Sequence, residues 1–174
     1  MPFRESAGVP DTELMAEDFV APEVYYSQLA RVRQGAGALI TTPDGRVVMY
    51  DVTYRDYLEL PGGAVNEDEP PPVACRRECR EELGVDVQVG RLLVVDHQVD
   101  GGERGNSVMF VYDGGTVEGS ALQAVPTDEG RGVVFVDTRD LPVATIPRLA
   151  ARIGNALSAR ETGDVVETVN GHRR

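Results

Sequence analysis

Apolar residues in this chain gather into blocks, and polar or glycine-rich punctuation separates them. "GAGALITT" (35–42) is an apolar run that reads as a strand, "PDG" (43–45) as a turn, and "RVVMYDV" (46–52) as the returning strand of a hairpin. "YLEL" (57–60) predicts a short strand running into "PGG", where proline stops pairing and two glycines permit unusual backbone angles. A helix is expected from about Pro72 to Leu83, with prolines only at or before its first turn and Gly84 at its end. "VDVQVGRLLVVDHQV" and "NSVMFVYD" read as strands joined by the glycine-rich loop "DGGERGN", and "GVVFVD" from Gly132 as a last strand. Ile146, Leu149, Ala150, Ile153 and Leu157 recur at helical spacing, which predicts a C-terminal helix lying on the sheet by one apolar face.

The ends lack such patterning. The first twenty or so residues have no clear period and read as a flexible arm, with a short helix starting near Pro22. "ETGDVVETVNGHRR" carries no sustained pattern and reads as a flexible tail. The expected organisation is an arm over 1–32, one domain over 33–160 and a tail over 161–174. Strands and helices alternate irregularly, so the fold class is mixed α/β, with helices packed on a sheet.

Composition narrows the function classes. Twenty-nine acidic residues against 17 basic ones leave a net charge of −12, which opposes binding to nucleic-acid polymers. No apolar run reaches the roughly 20 residues needed to cross a bilayer, and the first residues lack the basic-then-apolar order of a secretion signal. A soluble, cytoplasmic protein is expected, and two cysteines four apart on a helix suit a reducing compartment. Every basic residue is arginine, so no lysine can act as a nucleophile or Schiff base.

The chemistry concentrates in "RRECREELG" (76–84). With Glu78 at zero on a helical wheel, Glu82 falls at about 40° and Glu81 at about −60°, so three carboxylates share one sector. Like charges at this spacing repel. A hard divalent cation would neutralise them; a solvated face stitched to arginines is the plainer reading. Arg80 lies on the opposite side and Arg77 neighbours Glu81, leaving one arginine among three acids. Cys75 and Cys79 fall in the apolar sector with Leu83, where packing is their simplest role. A zinc site would need further soft or imidazole ligands.

Upstream spacing discriminates between these readings. Gly63, Glu69, Arg77, Glu78, Glu81, Glu82 and Gly84, with Val85 closing a 23-residue span, match the box of the Nudix hydrolases at every fixed position. The one departure is Cys79 at an aliphatic position. The hairpin before the box, the "LPGG" leading into it and the strands after it also resemble the family's layout; the first thirty residues and the tail lie outside the resemblance.

The resemblance implies an α/β/α sandwich with a mixed sheet, and hydrolysis of a diphosphate linkage in a nucleoside diphosphate joined to another group, using Mg2+ or Mn2+. It implies Glu78, Glu81 and Glu82 as metal ligands, joined by the carbonyl of Gly62. Arg77 would hold a metal-binding glutamate by a salt bridge, and Glu69 would brace the loop or join the metal network. Family members also take a general base from a loop beyond the box, where Glu129 in "TDEGRG" is the candidate and Asp128 the weaker one. Tyr54, Arg55 and Tyr57 lie where a substrate could pass, although packing is the commoner role for such tyrosines. Arg33, Arg46 and Arg104 are further arginines that could meet a phosphate. The implied partner is a nucleotide-type small molecule, either a nucleoside triphosphate or a nucleotide sugar such as ADP-ribose; homodimers are common in the family. Two alternatives stay open: a nucleotide-sensing module without turnover, whose usual mark is a broken box, and a prenyl diphosphate isomerase, whose catalytic cysteine context is not found around Cys75 or Cys79.

Overall fold

The computed structural model describes residues 20–99, 105–122 and 128–173. By its internal contacts the chain separates into Met1–Arg31 and Val32–Arg174. In the first unit, α1 (Pro22–Gln28) starts on a proline and buries no residue. Residues 1–19 of the expected arm, residues 100–104 of the "DGGERGN" loop, Arg104 among them, and Thr127 of "TDEGRG" lie outside the described residues.

The second unit is built on one mixed sheet. β1 (Arg33–Thr41) and β2 (Val47–Val52) form the expected hairpin. Gly45 turns it at φ 85°, donating its N–H to the Thr42 carbonyl at 2.9 Å. β3 (Gly62–Ala64) pairs with β1 and leads into α2 (Pro71–Leu83). There follow β4 (Leu92–Gln98), β5 (Ser107–Thr116), β6 (Gly130–Val136), the short α3 (Leu141–Ala144), α4 (Pro147–Thr162), β7 (Val166–Val169) and β8 (His172–Arg173). The strand order is β6-β2-β1-β5-β4-β7-β8, with β3 off this path on β1. β1–β5 and β4–β7 are parallel and the other pairs antiparallel.

Both faces of the sheet are covered, which explains why β1 and β2 read as continuous apolar runs. Leu39, Val47 and Met49 pack with Leu149, Ile153, Ala156 and Ala159 of α4. Their sequence neighbours Ala38, Ile40, Val48 and Tyr50 pack with Ala74, Cys75, Cys79 and Leu83 of α2. The alternation is the two-residue period of a strand read from either side, and the result is the α/β/α sandwich. Among the described residues no helix is long and apolar enough to cross a membrane.

Four expectations are corrected. The segment read as a tail over 161–174 holds the last turn of α4 and then β7 and β8, which extend the sheet beside β4. Its turn is Asn170-Gly171, both at positive φ (51° and 82°), the two-residue hairpin chemistry that a short β-branched run flanks here. "YLEL" makes only an isolated bridge between Tyr50 and Glu59. The strand expected from Val85 starts at Leu92, while that expected from Gly132 starts two residues earlier, at Gly130.

Candidate active site

α2 is framed by its sequence. Pro70 stands at the N-cap, where its carbonyl accepts from the N–H groups of Val73 and Ala74 (2.9 and 3.1 Å), and Gly84 closes the helix at φ 68°, donating to the Arg80 carbonyl at 3.1 Å. Its buried face is Ala74, Cys75, Cys79 and Leu83. Both cysteines are free thiols. Hydrogen bonding to Cys75 and burial push the Cys79 thiol far up, which makes it a packing residue and not a nucleophile.

The opposite face meets the β3 loop. Glu82 accepts the Gly62 N–H at 2.8 Å. Gly62 sits at φ 144°, and a Cβ there would collide with the Ala36 carbonyl of β1, so only glycine brings the loop this close. A Cβ on Gly63 would fall 2.5 Å from the carboxyl carbon of Glu78. Gly62 therefore lets the loop pack against β1, and Gly63 gives the Glu78 carboxylate its room.

Arg77 is the hub of the site. It grips Glu69 with two nitrogens, Nε to Oε1 and Nη2 to Oε2, each at 3.0 Å. Nη1 donates to Glu78 Oε1 at 2.7 Å and reaches Glu81 Oε2 at 3.4 Å, and Nη2 also donates to the Ala64 carbonyl at 3.0 Å. Glu69 in turn accepts the Asn66 N–H at 3.1 Å, so it braces the loop onto the helix. Among the described residues no other arginine pairs with these four acids: Arg76 turns to Asp86, at 2.6 Å from Nε. Thus one guanidinium holds three of the four box glutamates, and a backbone N–H holds the fourth.

Burial separates the acids. Desolvation raises the Glu78 carboxyl, partly opposed by Arg77, and pushes Glu82 up to about 8, with the charges of Glu78, Glu59 and Glu81 adding to the rise. The Arg77 hydrogen bonds hold Glu69 below the usual carboxylate value. Among the described residues no group of three or more His, Cys, Asp or Glu stands arranged to hold a metal ion, and Nη1 of Arg77 lies between Glu78 and Glu81. The donor set nevertheless has the chemistry of a hard-cation site: oxygen ligands only, one turn apart, with their charge made costly by burial.

The expected neighbours lie around this face. Arg55 stacks over the rings of Tyr54 and Tyr57, at 5.7 and 5.5 Å, and its Nε lies 3.3 Å from Glu59 Oε1. Thr53 ties the Glu129 loop to the end of β2: its N–H reaches the Glu129 carbonyl at 2.9 Å, and its hydroxyl the Asp128 carbonyl at 2.7 Å. Burial raises the Tyr54 phenol, and the charges of Glu59, Glu82 and Glu129 add to the rise, so all three acids lie within electrostatic reach of that one ring. A cavity of about 300 Å³ opens beside Gly62 and Gly63, lined in part by Arg55, Tyr57 and Glu59; Tyr54 is outside it. Of the other arginines considered, Arg33 lines this cavity, while Arg46 pairs with Asp44 at 2.8 Å.

Sequence reading missed Glu59. Its position immediately before Leu60-Pro61-Gly62 was visible, but its carboxylate matters through Arg55 and Glu82, which only the folded chain brings near. Gly63→Ala tests the close approach at the box. The added methyl must displace the Glu78 carboxylate, and activity is expected to fall by about a hundredfold, as for an ångström-scale misplacement of a catalytic group. Steady-state rates with the fold checked by circular dichroism would decide it.

The NUDIX domain model matches residues 31–157. No curated protein matches the sequence. Among solved structures, the chain is similar to a MutT NUDIX hydrolase from Burkholderia pseudomallei, with 26% identity, TM-score 0.62 and coverage of 72% of this chain and 98% of that one. It is also similar to a UDP-X diphosphatase (18% identity, TM-score 0.67, covering 87% and 76%) and to an ADP-ribose pyrophosphatase from Streptococcus suis 89-1591 (19%, 0.61, covering 80% and 99%). With a box complete in sequence, its acids gathered on one helix face against the glycine loop, and a family model spanning most of the chain, the protein belongs to the NUDIX domain family, that of the Nudix hydrolases.

Proposed function

We propose that this chain is a divalent-metal-dependent pyrophosphohydrolase that cleaves the diphosphate linkage of a nucleoside diphosphate joined to a second group. The observation that carries the reading is the placement of Glu78 and Glu82 against Gly62 and Gly63, two glycines that themselves line a cavity large enough for part of a nucleotide. The substrate class is a nucleoside triphosphate or a nucleotide sugar such as ADP-ribose; similarity to a UDP-X diphosphatase and an ADP-ribose pyrophosphatase supports the second.

Glu78, Glu81 and Glu82, with the Gly62 carbonyl, would hold Mg2+ or Mn2+. When bound, the ion supplies charge neutralisation for the diphosphate and acidifies water for attack on phosphorus. The chain's own groups do the rest. The Gly62 N–H fixes one oxygen of Glu82, and Arg77 fixes one oxygen of Glu78, leaving the other oxygen of each carboxylate to ligand chemistry. Glu129, on the loop tied down by Thr53, is the candidate to take the proton of the attacking water, with a box glutamate as the other choice. Arg55, held between two tyrosine rings, presents a cation to the substrate at the cavity wall.

A nucleotide-type small molecule is the partner in this reading, and the net charge of −12 supports the exclusion of nucleic-acid polymers. Two free, buried cysteines support a reducing, cytoplasmic setting. A homodimer enters through the family resemblance alone.

The test is a panel of nucleoside triphosphates, dinucleotides, ADP-ribose and nucleotide sugars with Mg2+ or Mn2+, reading which phosphate product is released. Release of a nucleoside monophosphate or of pyrophosphate is expected, and chelation should abolish it. Binding of nucleotide without any product would replace the hydrolase by the sensing module, and turnover of isopentenyl diphosphate by the isomerase.

A further inference from the structure

The cavity beside the box is charged oppositely to the protein around it. The chain has 29 acidic residues against 17 basic ones, yet among the described residues this cavity is lined by Arg33, Arg55, Arg148 and Arg152 and by one acid, Glu59. Two of these arginines have local partners: Arg55 lies against Glu59, and Arg33 donates to the Gly105 carbonyl at 3.4 Å. The other two are placed differently.

Arg148 and Arg152 stand four residues apart on α4 and so share one face of the helix. Arg152 is 5% exposed. It commits Nε and Nη2 to Asp96 Oδ2, at 2.8 and 2.6 Å, and among the described residues its remaining terminal nitrogen makes no hydrogen bond and is not sealed from solvent. The guanidinium of Arg148 has neither an acid nor a carbonyl partner among the described residues, and its charge reaches Tyr57, which lines the same cavity. Both arginines thus keep donors that a ligand in the cavity could meet, and planar guanidinium forks suit oxyanions.

We propose that Arg148 and Arg152 form a subsite for a second oxyanion of the substrate, a phosphate or carboxylate carried away from the scissile linkage on the group joined to the nucleoside diphosphate. The inference rests on the pyrophosphohydrolase reading of the same site. The acidic helix deals with the scissile diphosphate, and it needs cations of its own to do so. The arginine wall deals with charge elsewhere on the same molecule. The hydroxyls of a neutral sugar could accept from these donors, but an oxyanion would make the stronger, charge-assisted bonds, so a charged substituent is favoured.

The experiment compares matched pairs with the intact protein in Mg2+: ADP-ribose against ADP-ribose phosphorylated on its terminal ribose, and UDP-glucose against UDP-glucuronate. Both kcat/KM and calorimetric binding are read. The anion-bearing member of at least one pair is expected to be favoured by about tenfold or more, as for a charge-assisted hydrogen bond. The phosphate pair and the carboxylate pair distinguish the two sources. In Arg148→Gln the preference should shrink to within about threefold, Arg148→Lys should keep more of it, and equal melting temperatures would show an intact fold. Absence of preference in both pairs, or a preference unchanged in Arg148→Gln, overturns the subsite. If no compound is turned over, the hydrolase reading fails, and the calorimetric preference still decides the subsite.

Discussion

Glu82→Gln is expected to lower kcat by about three orders of magnitude while leaving the fold intact. The substitution keeps the shape of the side chain and an oxygen to accept the Gly62 N–H, so the loop contact at 2.8 Å survives. What it removes is the ionisable carboxylate that, in the proposed reading, would hold a divalent ion. Stability should not suffer. A carboxyl whose folded pKa, about 8, lies above its ordinary 4.5 favours folding where it is protonated and penalises folding as pH rises between those values. The neutral amide escapes that penalty, so at pH 7 in chelator the variant should melt at or above the wild-type temperature. Adding Mg2+ should then raise the wild-type melting temperature by mass action and raise that of the variant much less. Full turnover in the variant, or an equal Mg2+-dependent rise in both, would sink the assignment of Glu82 to the metal.

How far the sequence carried the reading depended on distance along the chain. The box was legible because its seven fixed residues fall within one stretch, and because Pro70, Pro71 and Gly84 mark the ends of its helix with strong local chemistry. The faces of β1 and β2 were less legible, since a run buried on both sides shows no alternation until α2 and α4 are placed on opposite sides. A wheel put Arg77 beside Glu81, whereas the guanidinium binds Glu69 most fully, because β3 and the loop after it fold back over the helix. No helical projection contains that loop.

Contacts over long sequence separations were out of reach altogether. Arg148 and Arg152 come to the cavity from α4, far from the "LPGG" segment whose glycines line the same space. Glu59 and Glu129 approach one tyrosine from separate loops. The tail failed for another reason. Asn170-Gly171 is a strong turn signal, but the strands it joins have four and two residues, too short to show a period. They are held by the pairing of β7 with β4 and of β8 with β7, and by a buried carboxylate on β4.

That carboxylate, Asp96, is the basis for the largest expected loss of stability. It is fully buried on β4, and Oδ2 takes both Arg152 hydrogen bonds, while Oδ1 accepts the Thr168 hydroxyl at 2.7 Å and the Gly171 N–H at 2.8 Å. One side chain thus joins β4, α4, β7 and the β7–β8 turn. Asp96→Ala leaves the Arg152 charge buried without its partner and orphans the Gly171 donor, and should cost about 3–5 kcal/mol, or about 10 °C in melting temperature for a chain of this size. Asp96→Ala combined with Arg152→Met should recover part of the loss, because the stranded charge is then gone. The pH dependence has a definite sign. Burial alone would raise this carboxyl, but Arg152, Gly171 and Thr168 together hold it below its ordinary 3.8. Its contribution is therefore present above about pH 3.8 and lost as pH falls through the lower folded value. Urea unfolding at pH 7 and near pH 3 should show a wide gap between wild type and Asp96→Ala that narrows in acid, with amide exchange in 166–173 accelerated first. A gap that stays constant between the two pH values would mean that the charge on Asp96 is not what holds the C-terminal strands to the sheet.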